Sequence, residues 1–422
     1  MKFCISFGKF ELKYFLYCVL IVIIGMYTNR FVYFFEAGNI FLENLLFHSS
    51  FFFLGYLLNI IPAWIIHIKS KKKNNLLSKK LKEQDNQSIE YIYNKSDIKY
   101  LSSKDILNFC FLCFFLLLKD LIEKIMYKIN TQGIIIEINN DNDNDNYNDN
   151  YNDDNNRYDD DLTFVEYITI FLGSKFDNEA YYKHQYISFI ILILFEVIKN
   201  IYFIFNMADF KISFIIKIIL NIIYCILNAI CYINIKKLMK YKFISPAKCN
   251  FMIGIIEFPL IILIYIIISF TSLGNINNNK YYFDNILELY KNLGEIDAKN
   301  MMILISYPFA YGILDFIINQ IIYDFTIFHI YIPILIIYFL NNIIFNNIGA
   351  FDIIFLIASF LIELIMILIF LEFIEINCCG LNKNLKRNIQ SRGIIDSTLA
   401  IDIDDDDGEI NDERNENINE NI

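Results

Sequence analysis

The sequence predicts an all-α, polytopic membrane protein of ten transmembrane helices, arranged as two inverted repeats of five. Three observations predict it. Of 422 residues, 56% are apolar, and Ile, Phe and Leu gather in at least nine unbroken runs of membrane length. The basic residues fall on alternate connections between those runs. Two helical hairpins in the two halves of the chain also match each other. An outer-membrane barrel would alternate apolar and polar residues with a period of two, and these runs do not.

The elements follow in order. Residues 1–13 carry Lys2, Lys9 and Lys13 and are read as a cytosolic N-terminus. The run 14–34 is long and lacks a small-residue cleavage pattern, so it is a retained first span rather than a signal sequence. The loop 35–44 has no Lys or Arg. Span two is 45–67. The loop 68–105 contains "KSKKKNNLLSKKLK" and belongs inside. Span three is 106–127. The loop 129–161 contains "DNDNDNYNDNYNDDNNRYDDD", a low-complexity acidic tract placed outside. It has no EF-hand glycine or terminal Glu and reads as a tolerated insertion.

The run 162–176 has only 15 residues and includes Glu166. A bilayer core usually takes about 20 helical residues to cross. Charge decides for crossing. With it, "KKLMKYKFISPAK" at 236–248 and the tail containing Lys383, Lys386, Arg387 and Arg392 both lie inside. Without it, both lie outside. The later spans are 186–206, 212–235, 250–271, 300–322, 327–345 and 352–375, followed by an acidic cytosolic tail at 376–422.

The repeat sets 14–206 against 207–375. Aligning Gln185 with Asp352 superposes two apolar helices and places Glu196 opposite Glu363, each eleven residues further on. Inverted repeats of odd span number are a transporter device, with the substrate site between the halves.

Four stretches carry a likeness to known proteins. They are the hairpin "FVEYITIFLGSKFDNEAYYKHQYISFIILI", the basic passage "KKLMKYKFISPAK" ahead of helix seven, "LISYPFAYGILDFIINQIIYDFTIFHIYI", and the tail "FLEFIEINCCGLNKNLKRNI". Over about 14–392 the chain resembles the drug/metabolite transporter superfamily, which includes nucleotide-sugar and triose-phosphate transporters. The resemblance implies ten helices in two halves, a solute carrier and an endomembrane location such as Golgi, ER or a vesicle, with the plasma membrane as the other candidate. The chain departs from the family in having only 14 Gly and 5 Pro, so close helix crossings are expected to be few.

Polar residues inside apolar runs are costly, by about 2.5–3.5 kcal/mol for a charge at mid-span, and therefore mark candidate sites. Arg30 stands at the outer end of span one, able to bind an anion or to snorkel to headgroups. Lys119, Asp120, Glu123 and Lys124 stand in span three; their spacing allows Lys119–Glu123 and Asp120–Lys124 pairs, or Lys119 turned inward. Lys217, Asn221 and Asn228 recur at helical spacing in span six. Tyr307, Tyr311, Asp315 and Asn319 make a stripe on span eight, and Asn341 and Asn342 lie in span nine. Glu196 has Lys199 one turn on, Glu363 has no partner within its own helix, and Glu257 is mid-span in span seven. The expected solute-binding set is Arg30, Lys119, Lys217, Asn221, Tyr311, Asp315 and Asn341, on walls from spans one, three, four, six, eight and nine. Glu196 and Glu363 are expected to be structural.

The nine cysteines form no disulfide framework. Cys110-x-x-Cys113 lacks a second pair or a nearby His, and Cys378 and Cys379 stand where S-palmitoylation occurs. No P-loop, G-x-S-x-G or H-E-x-x-H motif is present. No enzyme activity, cofactor, metal or nucleic acid is expected. The net charge of −11 is concentrated in Asp-rich tracts. The expected partners are a small-molecule solute, the lipid bilayer and a second copy in a homodimer. The expected function is secondary transport of a small organic solute, such as a nucleotide-sugar or a phosphorylated metabolite. A receptor or scaffold that transports nothing is the alternative.

Overall fold

In a computed structural model, the chain folds into a bundle of helices. Described are residues 5–7, 11–29, 45–69, 103–132, 163–176, 181–206, 212–242, 244–270, 294, 297–345 and 350–376. Helix α1 is Leu12–Asn29 and α2 is Leu45–Leu58, which resumes as 60–69 after a turn at Asn59. Next come α3 (Ser103–Gln132), α4 (Thr163–Phe176), α5 (Lys183–Asn206), α6 (Ile212–Lys242) and α7 (Pro246–Ser269). The chain continues with α8 (Ala298–Asp324), a 3-10 turn (Ile327–Ile330), α9 (Tyr331–Phe345) and α10 (Ala350–Phe370). Two short strands, β1 (Ile5–Phe7) and β2 (Ile374–Ile376), pair antiparallel.

Among the described residues seven helices are long and apolar enough to cross a membrane: α2, α5, α6, α7, α8, α10, and α9 with its preceding 3-10 turn. The protein is an integral, multi-pass membrane protein of helical type. Its polarity agrees with a hydrocarbon surround. Ile198, Ile354, Leu263 and Phe114 are exposed, while Glu196, Glu257 and Asn250 are fully buried. Such an apolar exterior would not be tolerated in water.

Local chemistry sets the helix ends. Ser245 caps α7, its side chain accepting from Lys248 N, with Pro246 at the first helical position where a missing N–H costs nothing. Asp297 caps α8 by accepting from Asn300 N at 2.7 Å. Helix α10 ends in a Schellman motif: Phe373 N donates to Leu368 O and Glu372 N to Ile369 O. Glu372 holds the left-handed position at φ 63°, which usually falls to glycine.

Helix α2 runs against α7 and α8. The contact depends on absent side chains. A Cβ at Gly55 would lie 2.7 Å from Pro308 O, one at Gly312 would collide with the Gly55 carbonyl, and one at Gly254 would strike the backbone of Leu57. Asn59 seals the crossing by donating to both Gly55 O and Gly312 O at 3.1 Å. Glycine is therefore sparse but placed where three helices meet, which corrects the expectation that close crossings would be few.

One end of the bundle gathers distant parts of the chain. β1 meets β2, with Ser6 opposite Glu375. Lys13 pairs with Asp324 at 2.6 Å, and Tyr14 OH donates to His329 O at 2.7 Å. Gln185 Nε2 donates to Phe370 O at 3.0 Å, and His184 lies 3.1 Å from Glu372.

Candidate functional site

The middle of the bundle is polar because five helices each turn one or two polar side chains inward. Lys119 of α3 donates to Asn228 Oδ1 of α6 at 3.1 Å. Asn228 Nδ2 donates to Glu166 Oε1 of α4 at 2.8 Å, and Tyr331 OH of α9 donates to the same oxygen at 2.7 Å. Asp315 of α8 is within electrostatic reach of Lys119, as is Glu166, and its Oδ2 is buried without a hydrogen-bond partner. Tyr232, one turn along α6 from Asn228, lies near both carboxylates. The cluster thus sets one half-buried ammonium against two buried carboxylates, where each charge acts more strongly than at a surface.

A second polar chain lies one turn further along α3. Lys124 Nζ is 3.6 Å from Glu123 and 3.9 Å from Asp120, and it donates to His48 Nδ1 of α2 at 2.9 Å. With Nδ1 accepting, the ring proton sits on Nε2, which donates to Tyr307 OH of α8. Nearby, Tyr27 of α1 and Ser306 of α8 share a hydrogen bond of 2.5 Å. Toward the other end, Asn319 Nδ2 of α8 donates to Asn250 Oδ1 of α7.

The expected site residues divide. Lys119 and Asp315 come together in the central cluster, and Lys119 turns to Asn228 rather than to Glu123. Asp120 and Lys124 do approach each other, as their spacing allowed. Tyr311 packs edge-on against His48, Phe52 and Tyr307. Asn221 accepts from Cys225 Sγ at 3.5 Å within its own helix, and Lys217 lies about 16 Å along α6 from Asn228. Asn341 is buried on α9, about 15 Å along the helix from Tyr331, with its Oδ1 unpartnered. Arg30 lies outside the described residues, as do the acidic insertion, Cys378 and Cys379.

Glu166, Tyr331 and His48 are among the members of this network that escaped the sequence reading. Glu166 counted there only as an obstacle to span four, although a carboxylate in so short an apolar run is itself a signal. Tyr331 and His48 gave none, because an aromatic or a lone His on an apolar helix shows its role only once its neighbours are known. Among the described residues no group of three or more His, Cys, Asp or Glu side chains is placed to hold a metal ion. No family model and no curated protein matches the chain.

Proposed function

We propose that the protein is a secondary transporter of a small organic solute, working by alternating access, with ten spans in two inverted five-helix halves. The observation that carries the reading is the composition of the central cluster. Lys119 and Glu166 come from the first half, and Asn228, Asp315 and Tyr331 from the second. A buried polar site between two halves is what rocking motion exposes to each side in turn.

The pairing of helices supports the two-fold relation. Exchanging each helix for the one five places on turns α3·α6 into α8·α1, and α4·α6 into α9·α1, and all four pairs are in contact. The pairs α2·α7 and α5·α10 map onto themselves, and both are in contact. The end contacts support ten crossings. The N-terminal strand, the α4–α5 turn, the α8–α9 turn and the segment after α10 meet at one end, where a ten-span path with α4 crossing puts them all. The basic residues of 236–248 and of the tail favour a cytosolic side for that end.

The bound solute would engage Lys119, Asp315 and Glu166. A nucleotide-sugar or phosphorylated metabolite would draw Lys119 away from Asn228. No covalent chemistry or cofactor is assigned, and the site belongs to an endomembrane of Golgi, ER or vesicle type. Uptake by proteoliposomes tests the reading, with a panel of nucleotide-sugars, phosphorylated metabolites and amino acids. Counterflow of at least one solute is expected. Absence of counterflow across the panel, with folded protein shown, favours the receptor or scaffold.

A further inference from the structure

We propose that the central cluster takes an organic ammonium, a solute with a positively charged nitrogen that bears at least one N–H, and that Asp315 Oδ2 is its anchor. That the bound solute is also carried across the membrane rests on the transporter reading; the sign of its charge does not.

Asp315 is 9% exposed, and its Oδ2 has no hydrogen-bond partner among the described residues. A carboxylate oxygen buried in this way has given up water and gained no donor in return, so a donor brought by a ligand is strongly favoured. The polar neighbours along α8 are turned elsewhere. Asn319, one turn on, donates to Asn250, and Tyr311, one turn back, packs against His48, Phe52 and Tyr307.

Charge points the same way. Glu166 and Asp315 share the ammonium of Lys119, which itself donates to Asn228. Among the described residues no second cation acts on either carboxylate. Lys124, further along α3, is held among Asp120, Glu123 and His48, and Lys236, one turn beyond Tyr232, acts on His329. With both carboxylates ionised the cluster has one negative charge in excess, and one incoming ammonium makes it neutral. An anionic solute would add to the excess with Lys119 alone to meet it, and like charges brought together in a site poor in water repel strongly.

The surroundings suit an organic cation. Tyr232 and Tyr56 lie within electrostatic reach of Asp315, while Tyr331 holds Glu166 and meets the Tyr167 ring edge-on at 4.6 Å. Ring faces beside a carboxylate attract ammonium groups. A hard metal cation needs about six oxygens, and no group of three or more metal-ligating side chains is gathered among the described residues. The N–H follows from the anchor, because a trimethylated nitrogen has the charge but no proton to donate to Oδ2. Lys119 and Tyr232 are half-buried, so the cluster is not sealed.

The full chain tests this in two settings, thermal melting in detergent and counterflow in proteoliposomes. The probes are ethylamine, butylamine and phenethylamine, the trimethylammonium form of each, the carboxylate of matching length, and UDP-glucose. At least one primary amine is expected to raise the melting temperature saturably, with its trimethylated form and its matching carboxylate binding about tenfold more weakly or not at all. Asp315→Asn is expected to weaken the amine about tenfold, and Asp315→Glu to restore part of the loss. Lys119→Gln removes the competing cation and is expected to tighten the amine several-fold, which a purely structural Lys119 would not do. Variants are compared only where elution and unliganded melting match the parent chain, and where they do not, the ranking of probes on the parent decides. Binding by no amine, a carboxylate or UDP-glucose that outbinds every amine, or amine and trimethylated form binding alike overturns the proposal. Amine binding without counterflow of any probe overturns the transporter reading and leaves the site standing. Counterflow of an anion without amine binding does the reverse.

Discussion

Gly312 has no room for a side chain, because its Cβ would enter the carbonyl of Gly55. Gly312→Ala is expected to push α8 off α2 and to destabilise the protein by about 1–3 kcal/mol, read as a lower melting temperature in detergent. An unchanged melting temperature would mean that the crossing relaxes freely. Glu166→Gln keeps one oxygen for Asn228 and Tyr331 but removes the charge that faces Lys119. It is expected to cut uptake at least tenfold with elution unchanged. Tyr331→Phe removes one of the two donors and is expected to cost less, because Asn228 keeps Glu166 in place. At this scale the sequence exposed Lys119 and Asp315, since an ionisable residue in an apolar run needs a reason. It could not show that Lys119 reaches Asn228 instead of Glu123, because that depends on how α3 is rotated against α6.

Helix α4 is the element on which the topology turns. Its 14 residues rise about 21 Å, short of the roughly 30 Å hydrocarbon core. It is shielded by α6 and α5, and one oxygen of its Glu166 accepts from Asn228 and Tyr331. Crossing puts Lys183, at the start of α5, on the same side as Glu11, and both are exposed. Glu11→Cys and Lys183→Cys, each in a cysteine-free chain, are expected to react with an impermeant maleimide from one and the same side of sealed vesicles. Reaction from opposite sides would remove α4 as a span. At this scale each run of apolar residues in the sequence lies over a helix, because hydropathy reports burial in lipid directly. The turn at Asn59 within span two was not legible. It arises where α2 passes Gly312, and the amide that seals it bonds to another helix.

At the scale of the whole molecule, distant parts of the chain are joined by β1 with β2, Lys13 with Asp324, Tyr14 with His329 and His184 with Glu372. These contacts close one end of the bundle. Ser6→Cys with Glu375→Cys, in a cysteine-free chain, is expected to form an intramolecular disulfide under mild oxidation, seen as a mobility shift without reductant. If the two halves must part at this end, the cross-linked protein will also lose uptake and regain it on reduction. Retained uptake in the cross-linked form would make the closure a static brace. In the sequence the proposed repeat rests on one matched hairpin, Glu196 against Glu363. Helix pairing was not legible there, because apolar sequences of narrow composition align with one another in many registers.

The strand pairing also fixes an order of assembly. Ile5 leaves the ribosome long before its partner, Ile376. At ~5–20 residues per second the first strand waits about 20 to 75 s for its mate, with every helix inserted in the meantime. This knot can be tied only after α10 has been made, so a chain interrupted before α10 leaves β1 with an unclaimed edge.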